Sequence, residues 1–121
     1  MAQALRIAID GTVTDLSWED GKTLEALQAG VEGSVDLVAL RPDVDMWAND
    51  EGLFTHDVNV VGTLVADALR GDHWQDYHGP LVFTGGNDEE GRTLPLSEAA
   101  QEEIRGLAER ALAFVRERLA G

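Results

Sequence analysis

Leu5, Ile7 and Ile9 alternate with Arg6, Ala8 and Asp10, the period of a strand with one buried face. Asp10-Gly11 supplies turn chemistry, and Val13, Leu16 and Trp18 predict a returning strand with imperfect alternation. The chain therefore opens on a hairpin, which Glu19-Asp20-Gly21 breaks. From Thr23 the apolar period lengthens. Leu24, Leu27 and Val31 share one helical face, with Thr23 as the expected N-cap and Gly33 as the stop. Val35 to Leu40 is an apolar run holding one acid, Asp36, and predicts a central strand. Arg41-Pro42-Asp43 ends it, since proline has no N–H for a ladder. Asp45 to Asn49 is a weaker strand closed by Asp50-Glu51-Gly52.

Val58, Val61, Leu64, Val65, Ala68 and Leu69 follow helical spacing, and Gly71 is placed to cap that run. Gly79 to Thr84 predicts another buried strand, after which come Gly85-Gly86 and an acidic loop over 87–95. Ser97 opens the longest helix, whose stripe is Ile104, Leu107, Ala111, Leu112, Val115 and Leu119. The order ββαββαβα predicts one α+β domain over residues 1–121. Its expected form is a two-layer sandwich with a mostly antiparallel sheet and the helices on one face. A helix over 97–121 would be about 36 Å long, more than a small sheet can cover. Its overhanging end, with Phe114, Val115 and Leu119, is a candidate homodimer surface.

Charge narrows the partners. Eighteen of the first 96 residues are Asp or Glu and five are Lys or Arg, so nearly all of the net −14 precedes the last helix. That field repels nucleic acid and anionic membrane, and favours a basic protein surface or cations. With 44% hydrophobic residues the chain can still build a core. It has no cysteine, which excludes disulfides, thiolate metal sites and cysteine nucleophiles. No basic n-region with an apolar run opens the chain, and no stretch is long and apolar enough to span a membrane. The expected location is the cytoplasm.

Asn49-Asp50-Glu51-Gly52 clusters oxygens that suit a hard cation, but it lacks the alternate spacing and distal Glu of a calcium loop. A tight turn with Gly52 at positive φ is the simpler expectation. His73, Asp76 and His78, with Asp72 and His56 nearby, are the candidate ligands of a transition metal. Their spacing is not that of a helical His pair, and a loop whose Trp74 and Tyr77 plug the core edge is the bland alternative. Either His could also serve acid–base chemistry. Trp47 and Trp74, with Trp18, either fill the core or form an aromatic patch for a partner or a nucleobase. Gly85 and Gly86 offer backbone amides, but no P-loop or G-x-G-x-x-G surrounds them. The serines have no G-x-S-x-G context, and no cofactor is expected.

Three pieces occur in a set order. They are Leu24-Glu25-Ala26-Leu27-Gln28 with Val31 and Gly33, then Asn49-Asp50-Glu51-Gly52-Leu53, then Gly79-Pro80-Leu81-Val82-Phe83-Thr84-Gly85-Gly86 ahead of Gly91 and Thr93. In this the chain resembles a small phage- and plasmid-encoded family catalogued as domain of unknown function 3846, over roughly residues 5–105. Asn59 stands where members have an asparagine opening a helix, while the leucine-proline pair usual before it is missing. The resemblance implies a mobile-element setting and no activity. The expected function is a non-enzymatic binding protein that engages a basic host protein through its acidic surface, in a counter-defence role. The alternative is a small-molecule or nucleotide binder using Trp47, Trp74 and the amides of Gly85 and Gly86. The third reading is an acidic nucleic-acid mimic, which the placement of the acids at turns disfavours.

Overall fold

The opening alternation closes into the expected hairpin. In the computed structural model, β1 (Ala4–Ile7) pairs antiparallel with β2 (Val13–Leu16), Leu5 opposite Asp15 and Ile7 opposite Val13. The Asp10 carboxylate accepts the Thr12 N–H at 2.9 Å, and Gly11 takes the positive φ of 90° that the turn requires. Residues 2–120 are described; Met1 and Gly121, the ends of the expected domain and last helix, lie outside them.

The remaining elements are α1 (Thr23–Val31), β3 (Val35–Arg41), β4 (Val44–Asn49), α2 (Gly52–Thr55), α3 (Val60–Arg70), β5 (Leu81–Thr84) and α4 (Glu98–Ala120). The expected order holds with one addition, the single turn α2, where a plain turn was predicted. Gly52 does not have a positive φ. It is glycine for closeness instead: a Cβ there would lie 2.8 Å from the His78 carbonyl oxygen.

All strand pairs are antiparallel, in the order β2-β1-β5-β4-β3. The α+β class and the antiparallel sheet stand, but two expectations do not. Val35 to Leu40 forms an edge strand, and the central strand is β5, whose four residues are all buried. An apolar run marks burial on both faces, and β5 has it while β3 exposes Asp36 and Leu37. The helices also do not share one face. Leu5, Ile7, Val44, Met46, Leu81 and Phe83 pack under α3 and α4, whereas Ala4 and Val82 pack under Leu27 and Val31 of α1, flanked by Trp18 and Trp47. Because Val82 points opposite to Leu81 and Phe83, the second face had to be covered as well, and α1 covers it.

Capping was partly foreseen. The Ser97 hydroxyl accepts the Ala100 N–H at 3.1 Å, and Gly71 closes α3 in the left-handed region at φ 98°. At α1, however, Lys22 holds the N-cap position without a side-chain bond, and Thr23 is already helical. Trp74 is exposed rather than a core plug, while Tyr77 is buried. No helix among the described residues is long and apolar enough to cross a membrane.

Candidate functional site

Beside the β3 edge the sheet is left open. Asp36 and Val38 of β3, Ala48 to Asp50 at the end of β4, Gly52 and Leu53 of α2, and the 75–78 segment enclose a recess of about 450 Å³. It brings together Asn49, Asp50, Asp76 and His78, which the sequence placed in two separate motifs. Asp36 joins them, and only its solitary position in an apolar run could have signalled it. The recess contains three carboxylates and one imidazole but no Lys or Arg. At its rim α2 holds Leu53 out in water, 68% exposed, and the next residue, Phe54, is 86% exposed over the adjoining depression that Leu53 also lines.

Asn49 is itself structural. Its side-chain N–H groups donate to the carbonyls of Val31 and Glu32, both at 3.2 Å, and its Oδ1 accepts the Glu51 N–H at 2.8 Å. One side chain thus closes α1 and shapes the acidic turn. Glu32, not the expected Gly33, takes the left-handed position at φ 64°. Gly33 is needed for another reason: a Cβ there would meet Asn49 Nδ2 at 2.6 Å. The cost of that conformation for a side-chain-bearing residue is about 1–2 kcal/mol, offset by Arg6 at 3.3 Å and His56 Nε2 at 3.0 Å from the Glu32 carboxylate.

Thr55 Oγ1, His56 and Glu32 form a row that looks like a nucleophile relay. The Thr55 hydroxyl has a single proton, however, and the Glu51 carbonyl at 3.0 Å competes for it with His56 Nδ1 at 2.8 Å. The row clamps α2 to the end of α1. Glu51 itself is exposed and serves this turn through its backbone.

The 72–78 segment is divided. His73 lies between Asp67 at 2.8 Å and Asp76 at 3.6 Å, while His78 Nδ1 meets the His56 carbonyl at 3.0 Å. The described residues contain no group of three or more His, Asp or Glu placed to hold a metal ion. Trp74 is capped by the Arg70 guanidinium 4.0 Å from its ring centroid and donates to Asp72 at 3.0 Å. Trp47 is elsewhere, on the α1 face, donating its indole N–H to Thr84 Oγ1 at 2.9 Å.

A family model described as Domain of unknown function (DUF3846) matches residues 3–109. The chain belongs to this family. No curated protein and no solved structure matches it significantly. The DUF3846 match spans every strand, α1 to α3 and the whole recess, and stops inside α4. What lies beyond it is the helix end, where Phe114 is half-exposed and Leu119 is 84% exposed.

In this DUF3846 chain the Gly85 amide is already engaged within the fold. The Gly85 N–H donates to the Leu94 carbonyl at 2.9 Å, and Gly86 O accepts from Leu94 at the same distance. A Cβ on either would strike a backbone oxygen, that of Pro95 at 2.5 Å or Pro42 at 2.6 Å. They are glycines because two chain segments cross there. Trp47 instead shares a second cleft with Trp18.

Proposed function

We propose that the chain is a non-enzymatic binding protein that docks a basic, partly apolar segment of a partner protein into the recess beside α2. The observation that carries this reading is the pairing of Leu53 and Phe54 in water with a recess whose charged lining is Asp36, Asp50 and Asp76. Burying a Phe or Leu side chain contributes about 1.5–3 kcal/mol, and an apolar anchor ringed by charge is how transient interfaces are built. A lysine- or arginine-bearing segment complements the carboxylates, and the chain's net −14 speeds its approach.

The resemblance drawn from the sequence motifs suggests the setting: a phage, prophage or plasmid, with a host protein as partner and counter-defence as the role. The nucleic-acid mimic gains nothing from the fold, since Asp88, Glu89 and Glu90 sit on a loop and form no strand-like row. Pairing of two copies through Phe114 and Leu119 is a separate proposal, which sedimentation velocity decides: a monomer at every concentration removes it.

The test of the docking reading compares the wild type with a Leu53→Ser/Phe54→Ser variant on host extract, with cross-linking and identification of the captured protein. We expect a basic partner, capture that falls steeply between low and high salt, and loss in the variant at an unchanged melting temperature. Capture that ignores both salt and the variant sinks the proposal.

A further inference from the structure

On the opposite face of the sheet from the acidic recess, Trp18 and Trp47 line one cleft of about 670 Å³. Its other walls are Asp20 and Leu24 ahead of and within α1, and Arg92 and Thr93 of the loop after β5. Both tryptophans are held from behind. The Trp18 backbone N–H donates to Gln3 Oε1 at 2.7 Å, and the Trp47 indole has given its only donor to Thr84. What Trp47 can still offer a ligand is the face of its ring.

We infer that this cleft binds an organic cation, with a guanidinium group as the best fit. Aromatic faces attract cations through the ring quadrupole, and tryptophan does so most strongly. The fold already satisfies two of its aromatics in this way: Arg70 lies over Trp74 at 4.0 Å and Arg118 over Phe114 at 4.8 Å. Among the described residues, neither Trp18 nor Trp47 has such a partner.

The charge of the ligand follows from the neighbours. Arg92 is the single cation in the walls, and two carboxylates already hold it, Asp88 at 2.9 Å and Glu90 at 3.0 Å. Asp20 adds a further negative charge. The uncapped first turn of α1 favours an anion by about 0.3–1 kcal/mol, which is small beside this excess of carboxylates in a chain of net −14. A nucleotide, by contrast, would bring phosphate into this field.

The experiment follows the three indole N–H peaks in a proton–nitrogen correlation spectrum while N-acetylarginine methylamide is added. Saturating shifts of the Trp18 and Trp47 peaks, with Trp74 unmoved, support the inference. So does a two- to fivefold weaker affinity in Asp20→Asn, an exposed change that spares the fold. A parallel titration with a short arginine-containing peptide separates the sources: tighter binding assigns the cation to a polypeptide, equal binding to a small molecule. Trp47→Phe keeps an aromatic wall and tests the site without emptying it, and it weakens binding further. Absence of shifts, or tighter binding of adenosine triphosphate at the same two peaks, overturns the inference. The Leu53→Ser/Phe54→Ser variant retains this binding, so failure here and failure of the docking recess are read separately.

Discussion

The side-chain amide of Asn59 donates to the Ile7 carbonyl at 2.9 Å, joining the start of α3 to the end of β1. The same group reaches the Gly79 carbonyl at 2.9 Å, and its Oδ1 accepts the Gly62 N–H at 2.8 Å. Asn59 is wholly buried, so no water can replace these bonds. Asn59→Ala strands two carbonyls and one amide, each costing about 1–3 kcal/mol. We expect a loss of about 3 kcal/mol or more, read as a melting temperature lower by about 10 °C.

The contact of Gly33 with Asn49 sets a second expectation. Gly33→Ala pushes a methyl group against the amide that closes α1, and either the cap or the acidic turn must shift. Urea denaturation should show a loss of about 1–3 kcal/mol. Ala at the exposed Gly21, where nothing lies within 4 Å, meets no such contact and strains only the backbone at φ 79°.

Burial raises the pKa of the Asp45 carboxyl above the ordinary aspartate value of 3.8. The unfolded chain then ionises first as pH rises, so this group's contribution to stability falls from the unfolded pKa upward through the raised folded one. Asp45→Asn should raise the melting temperature at pH 7 and leave it unchanged at pH 3. Thermal scans of both proteins across that range decide the matter.

Glu103 behaves with the opposite sign. Its hydrogen bonds to Arg41, which tie β3 to α4, lower its pKa, and burial opposes this only in part. The stability it adds is present above the unfolded glutamate pKa and is lost as pH falls through the lowered folded value. Both side chains are partly exposed, so Glu103→Gln should cost less than about 1 kcal/mol at neutral pH and low salt. In 1 M salt the difference should shrink.

The residues of the candidate sites were legible one by one but not in their grouping. Asn49, Asp50, Asp76 and His78 stood out as polar atoms in turns, and Trp18 and Trp47 as large rings near strand ends. Asp36 and Asp50 meet because β3 and β4 form a hairpin, and Asp76 because the 77–79 segment crosses Gly52 at backbone contact. Trp18 and Trp47 line one cleft only because α1 lies over the second face of the sheet.

Periodicity and capping chemistry are local, and they determined which segments are strands and helices, where α3 and α4 are capped, and where the net charge lies. Strand order depends on which apolar surfaces remain after the hairpins close, and no local pattern carries that. The tertiary structure placed β5 at the centre because its side chains are apolar on both faces. It moved β3 to the edge, and it drew α1 to the face that Ala4, Val82 and Trp47 would otherwise expose.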